Sequence, residues 1–563
     1  MAEISSTMSS DFCYYCNNPD VGAERQCALA DPEACAPCQR LSELDGRIEE
    51  TKRMLVGLAK ERQDVKERMN HVHDRVIHRL PLEIASRIFE WAMPWDEVDF
   101  DKFFAPTYMK SAPFVISSVS RQWRNMAHST PRIWTNILLW DRGYDAFTLP
   151  SPSIVEDMIS RACNFPLFID FYARDSLQSD HAVALADILV RHSRNWVQLT
   201  YEGPFNLIPH FLPKDEDNLP LLRRLHLTNV NLTDFPVRSF DLRVVELEAL
   251  LISGFKFTAN RLNWKCLHEL EINDISSLTD CYAALQNSYH LTRCILREPT
   301  MFLDYNPDEL LVSRPPLFHP NLQYLEIAGH PLYGDILQYL DCPSLHTLVL
   351  GCHRPYSRRA DIPLVVQFVN RSCRFLESLS IIRAQFLDSD IDMLCSDFYA
   401  LRCLHLSIPA GSAEMAVKVL FTHLAEFVII DGEKMPRYLP NLHSLTVTMN
   451  QPGPDFNHWH LLPDIFGIST HIVDGGTYST ERHRHTLKSI SVSLHQPYDY
   501  FSPRDYPSKS EIYESFGRHA LERIAWLDAE AGVKWTIRMG NPMYELEDVF
   551  RPALDWCRSS AAE

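Results

Sequence analysis

The sequence predicts an α/β chain in three parts: a long N-terminal helix with coiled-coil patterning, a small all-α unit, and an irregular solenoid of repeated strands. Three observations predict it. Apolar residues recur at heptad spacing over residues 41–78, two short amphipathic helices fall within 79–140, and one apolar phrase recurs eleven times beyond Trp140.

The bulk numbers set the frame. A chain of 563 residues has room for several domains and a large core. Its net charge of −19 argues against a nucleic-acid partner, because phosphate binding needs basic patches. No stretch of about 18 apolar residues is present, so no membrane partner is expected. Residues Met1 to Ser10 lack the basic and apolar regions of a secretory signal, and the 15 cysteines are odd in number and scattered. Both features fit reduced thiols and a cytoplasmic or nuclear protein. Only 18 residues are glycine; a usual share of about 7% would give more than twice that number. No phosphate-cradling loop, dinucleotide fingerprint, Gly-x-Ser-x-Gly or His-Glu-x-x-His appears. The chain is therefore expected not to be an enzyme.

Residues 1–40 form a cysteine-rich tail. Cys13-x-x-Cys16, eighteen residues, then Cys35-x-x-Cys38 falls in the spacing range of a four-cysteine zinc site. The alternative is a tail of unligated thiols. With few apolar residues around the cysteines, the segment has little to fold around without metal. A structural zinc is the one cofactor the sequence puts forward.

Residues 41–78 read as one helix. Leu41, Leu44, Ile48, Thr51, Leu55, Leu58, Arg62, Val65, Met69, Val72, Val76 and Arg79 fall on heptad a and d positions, three of the twelve not apolar, with charged residues between them. Such a seam needs a mate. Either a second copy supplies it, making a homodimer, or the helix lies on the rest of the chain.

Residues 79–140 carry the small helical unit. Leu80-Pro81-Leu82-Glu83-Ile84 opens it, with Ile84, Ile88 and Phe89 on one helix face and Pro81 in the first turn. Val115, Val119, Trp123, Met126 and Ala127 form the stripe of a second helix, which Thr130-Pro131 ends. Pro94 to Phe104 is an acidic stretch between them. The Leu-Pro-x-Glu-Ile-x-x-x-Ile-Phe start, Val-Ser-Arg-x-Trp-Arg-x-Met-Ala and Thr-Pro-x-x-Trp together resemble an F-box. The closest likeness is to the fungal F-box proteins in which leucine-rich repeats follow. The acidic stretch is longer than the compact family pattern.

Beyond Trp140 the phrase apolar-x-x-apolar-x-apolar starts at Trp196, Leu222, Leu242, Leu267, Leu291, Leu322, Leu345, Leu376, Leu401, Leu442 and Leu487. Its period and core match a leucine-rich repeat. Alternate residues of each short strand point inward, and no repeat can bury its leucines alone, so neighbours must stack. The expected solenoid spans 141–500. It begins with repeat-like capping elements: a helix with Ile154, Met158, Ile159 and Ala162 inward, a strand Leu167 to Phe171, and a helix with Ala184, Leu185, Ile188 and Leu189. Residues 452–485 break the pattern as an insertion with His458, His460, His471, His483, His485 and Asp464, where packing or solvated histidines are a commoner outcome than a metal cluster. A last helix, a last strand and an acidic aromatic tail occupy 501–563.

The resemblance implies a function. An F-box binds the Skp-type adaptor of a cullin–RING ubiquitin ligase, and the region after it holds a protein substrate. On that likeness, Leu80, Pro81, Ile84, Ile88, Phe89, Val119, Trp123 and Trp134 comprise adaptor-facing and packing residues. The alternative is a leucine-rich-repeat interaction scaffold outside any ligase. A hydrolase hidden in the histidine-bearing insertion ranks below both, because no residues there have the needed spacing.

Overall fold

The computed structural model describes residues 36–73, 80–93, 112–141, 149–173, 180–211, 219–230, 245–254, 262–273, 278–297, 315–329, 336–351, 361–409, 413–430, 433–450, 458–466, 472–473, 477–478, 486–495, 518–530, 532–540 and 547–559. The chain divides into two compact units, Met1–Thr130 and Pro131–Glu563.

The first unit is helical. Helix α1 (Ala36–His73) is the long helix expected from the heptads. Helices α2 (Leu82–Trp91), α3 (Ala112–Val119) and α4 (Arg121–His128) follow. Pro81 stands at the N-cap of α2, where it loses no helical N–H, and its carbonyl accepts from Ile84 and Ala85. The single helix expected from Val115 to Ala127 is two. Ser120 is extended (φ −157°, ψ 168°), and its hydroxyl accepts from the Trp123 N–H at 3.1 Å. That cap opens α4 and interrupts a stripe that periodicity alone would run through. Arg124 then donates from Nε to the Ser117 carbonyl at 3.0 Å and ties α4 back to the end of α3.

Among the described residues the core of this unit is small: Ala85, Phe89, Met93, Pro113, Met126 and Ala127 are buried. Its one interior hydroxyl chain is satisfied. Thr130 donates to the Met126 carbonyl at 2.7 Å, which leaves it to accept from Ser86 at 2.8 Å.

The second unit is built on a sheet whose order is the order of the sequence. The strands are β1 (Asn136–Asp141), β2 (Leu167–Ala173), β3 (Trp196–Gly203), β4 (Arg224–Asn229), β5 (Ala249–Ser253), β6 (Glu269–Asn273), β7 (Arg293–Arg297) and β8 (Tyr324–Ala328). Next come β9 (Thr347–Gly351), β10 (Ser378–Ile382), β11 (Cys403–Ile408), β12 (Ser444–Asn450), β13 (Ser489–His495), β14 (Lys534–Gly540) and β15 (Glu547–Asp548). Each of the first thirteen runs parallel to the next, and β15 returns antiparallel on β14. Parallel neighbours need a crossover each time, which the intervening helices and turns supply.

The repeated phrase explains this order. Its second and third apolar residues stack in register as two buried rows: Leu225–Leu250–Leu270–Cys294–Leu325–Leu348–Leu379–Leu404–Leu445–Ile490, and Leu227–Ile252–Ile272–Leu296–Ile327–Leu350–Ile381–Leu406–Val447–Val492. The leading residues Leu222, Leu267, Leu291, Leu322, Leu345, Leu376, Leu401, Leu442 and Leu487 are buried beside them. Each fully buried leucine contributes about 1.5–3 kcal/mol of transfer free energy, so rows of this length dominate the unit's stability.

One phrase was out of phase. The start expected at Leu242 lies outside the described residues, and the strand of that repeat is Ala249–Ser253. The phrase that packs is Leu247-Glu-Ala-Leu250-Leu-Ile252, with Leu250 beside Leu225 and Ile252 beside Leu227. Asn229, at the end of β4, is buried and donates from Nδ2 to the Gly254 carbonyl at 3.1 Å. Gly254 has φ +72°, and a Cβ there would stand 2.7 Å from the Asn229 carbonyl oxygen, so only glycine fits.

Helices Pro152–Ala162, Asp180–Val190 and Arg518–Glu530 fall where the patterns placed them, and Leu278–Asn287 and Ile362–Ser372 lie between strands of the ladder. In the first of these Val155, not Ile154, faces inward together with Met158, Ile159 and Ala162. Strand β1 was not foreseen; it begins the ladder directly after the turn Pro131–Trp134. In the 452–485 segment, Trp459, Leu462 and Ile465 are buried, and their short helix packs on Arg518–Glu530. The tail also docks: Val549, Phe550 and Ala553 are buried.

Candidate protein-interaction surfaces

The first surface lies in the helical unit. Phe89 is buried and its ring meets Trp123 at 5.2 Å between centroids, which turns that side of α2 toward α4. The neighbouring stripe of α2 is then left in solvent. Ile84 is 48% exposed, Ile88 40% and Trp91 83%, at helical spacing i, i+4, i+7. Leu82 and Pro81 at the start of α2, and Val115 and Val119 on α3, are also exposed. Among the described residues these large apolar side chains are exposed within one small helical unit, more of them than the single exposures usual on a surface.

The eight residues implied by the family likeness therefore separate. Pro81, Ile84, Ile88 and Val119 are exposed, Leu80 and Trp123 are half-buried, and Phe89 is buried. Trp134 belongs to the second unit, where it is fully buried with the Arg161 guanidinium 4.7 Å from its ring centroid. Leu82, Trp91 and Val115 were missed as exposed residues. Trp91 could have been found, because it continues the Ile84–Ile88 stripe by three residues.

The second surface is the face of the ladder opposite the leucine rows. Its central register line runs Leu138, Asp170, Thr200, His226, Leu251, Glu271, Ile295, Glu326, Val349, Ser380, His405, Thr446, Ser491 and Thr536. Its chemistry changes along the line. On this face strands β1 to β8 carry Asp170, Glu202, Glu269, Glu271 and Glu326, whereas β9 to β14 hold no Asp or Glu. Those six strands carry serines and threonines with His405, His495, Lys534 and Arg538.

At the junction sits a closed polar cluster. Arg297 reaches Glu271 at 2.6 Å and Glu326 at 2.7 Å, and donates to the Asn273 side-chain oxygen at 3.0 Å. Tyr324 donates to the other Glu326 oxygen at 2.7 Å, and Arg293 stacks on the Tyr324 ring at 4.0 Å. The two carboxylates hold the Arg297 guanidinium above its ordinary pKa despite the opposing effect of burial. Burial, with the adjacent Glu326 carboxylate, pushes the Tyr324 phenol up to about 12. Elsewhere on this face, burial raises the Asp170 carboxyl, partly offset by hydrogen bonds from Thr200 and Gln198, and lowers His405. His495 is lowered by burial and by the nearby Arg383 charge.

Metal ligation finds no support among the described residues: no group of three His, Cys, Asp or Glu side chains is placed to hold an ion. Cys13, Cys16 and Cys35 lie outside the described residues, as do Pro94 to Phe104, His471, His483 and His485; Cys38 falls in the first turn of α1. Asp464 is engaged by Arg523, a buried guanidinium 2.7 Å away, and His458 and His460 stand with ring centroids 6.3 Å apart. Among the described cysteines, Cys281, Cys294, Cys342, Cys373 and Cys395 are buried and form no disulfide. Burial lifts Cys294, Cys373 and Cys395 to about 12, which makes them poor nucleophiles. No described helix is long and apolar enough to cross a membrane. The sequence matches no protein-family model, and no curated protein matches it.

Proposed function

We propose that this chain is the substrate-recognition subunit of a Skp/cullin/F-box-type ubiquitin ligase, with α2 to α4 binding the adaptor and the ladder, a leucine-rich-repeat-type solenoid, binding a protein substrate. The observation that carries the reading is the exposed stripe Ile84–Ile88–Trp91 on α2, with Val115 and Val119 exposed on α3, while Phe89, Met126 and Ala127 of the same unit are buried. An adaptor surface of matching apolar chemistry would bury it. In this reading the chain itself is catalytically silent and ubiquitin transfer occurs on other subunits.

The ladder supports the second half. Two stacked leucine rows fix the backbone, so the opposite face presents side chains at fixed spacing without having to fold around a partner. Its change from charged strands to hydroxyl-bearing, carboxylate-free strands gives different parts of one substrate different chemistry to meet.

The test is capture of a purified Skp-type adaptor by the full chain. Wild type should retain it, and Ile84→Ser/Ile88→Ser should not, while both melt at the same temperature. Absence of adaptor binding by a folded wild-type chain would instead support the interaction scaffold that stands outside a ligase.

A further inference from the structure

We propose that two copies of this chain pair through α1, antiparallel, with Leu55 of one facing the partner's Leu58. This goes beyond the ligase reading and does not depend on it.

The seam is present and uncovered. From Leu41 to Met69 every large apolar residue of α1 is exposed, between 38% and 68%. The heptad positions a and d are Leu41, Leu44, Ile48, Thr51, Leu55, Leu58, Arg62, Val65, Met69 and Val72. A helix of 38 residues is about 57 Å long, and a bare apolar stripe of that length is not stable against water. Among the described residues, the ion pair that α4 makes with this helix leaves the stripe open. Glu67, which Arg121 of α4 reaches at 3.2 Å, sits at heptad position f, on the side away from a and d. Pairs such as Lys52–Glu49 lie outside the a and d positions as well.

The two polar seam residues choose the orientation. In a parallel, in-register pair, Arg62 would face Arg62, placing two guanidinium groups together in the seam. Turning one helix round and facing Leu55 with the partner's Leu58 puts Arg62 opposite the partner's Thr51. Every other layer then matches apolar with apolar: Ile48 with the partner's Val65, Leu44 with the partner's Met69, and Leu41 with the partner's Val72. A single register thus brings both polar residues into one layer at each end of a central apolar block. The threonine hydroxyl can accept from the guanidinium, and the like charges separate. A second copy is the occupant that this self-complementarity selects, since a different helix would have no reason to mirror the 51/62 spacing.

Sedimentation of the full chain at about 10 μM tests this, since a seam of ten layers should associate well below that concentration. Wild type should be dimeric, and Leu55→Glu/Leu58→Glu monomeric with unchanged melting of the rest. The orientation is read by Thr51→Glu against Thr51→Gln, two residues of like helix propensity. In the antiparallel pair each new carboxylate faces an Arg62, and the dimer should tighten about fivefold over the Gln variant. A monomeric wild type, or a Glu variant that associates more weakly than Gln, would overturn the proposal; so would a dimer that survives Leu55→Glu/Leu58→Glu.

Discussion

Phe89 and Trp123 meet at 5.2 Å between ring centroids, with their planes 39° apart, and this one contact decides which side of α2 faces solvent. Packing Phe89 inward leaves the Ile84–Ile88–Trp91 stripe outward. Phe89→Ala should therefore act on folding: it removes a fully buried ring from a small core, a loss of about 3–5 kcal/mol. Ile84→Ala and Ile88→Ala should change stability by less than about 0.5 kcal/mol each. Chemical denaturation, run beside adaptor capture, separates the two classes.

The Arg523–Asp464 pair joins the short helix after β12 to helix Arg518–Glu530. Arg523 is buried, so removing its partner leaves a charge with less compensation than solvent would give. Asp464→Ala should destabilise the second unit by about 3 kcal/mol, and Asp464→Ala/Arg523→Met by less than that. A double-mutant cycle in urea checks it; equal losses in both variants would count against the pair.

His319 supplies a pH dependence. Burial lowers its pKa to about 4 in the fold, from 6.5. Above pH 6.5 the ring is neutral in both states and stability is undiminished. Between pH 6.5 and about 4 the unfolded chain takes up a proton that the folded chain refuses, so stability falls with pH, by about 3 kcal/mol at most. His405 and His495 shift in the same direction, and Asp170 in the opposite one. Denaturation midpoints at pH 7.5 and 5 should therefore differ more for wild type than for His319→Gln.

Arg297 neutralises two carboxylates on the two strands that flank its own. Arg297→Ala should leave Glu271 and Glu326 repelling one another and lower stability by about 1–2 kcal/mol, a figure reduced by partial solvent access. Arg297→Lys should recover less than half of that, because an ammonium cannot span both groups in the planar fork. The loss should grow at low salt and shrink at high salt, as a melting series would read.

Much of the ladder was legible because its physics is periodic. Leucine at fixed intervals means a buried row, and ten of the eleven phrases place their strand where they were read. The exception shows the limit. Leu242, Val245, Leu247, Leu250 and Ile252 satisfy two overlapping frames, and the choice between them comes from pairing with Leu225 and Leu227 in another strand. Strand β1 was hidden for a related reason. Its residues follow a helical motif without a break, and only β2 beside it makes Ile137 and Leu139 a strand. The split at Ser120 turns on one hydroxyl that changes no hydrophobic pattern. In the helical unit, resemblance named the residues but could not say which were inside. That division depends on the Phe89–Trp123 contact, between residues 34 apart in sequence.

The ladder's order carries a consequence for how the molecule comes into being. Every main strand takes its place against the one made just before it, so contacts are local in the chain. Assembly can run in one direction, each finished edge serving as the template for the next strand while later residues are still being synthesised. On the growing side the edge is then always the newest strand, and there the antiparallel β15 with its helix Phe550–Ser559 ends the ladder.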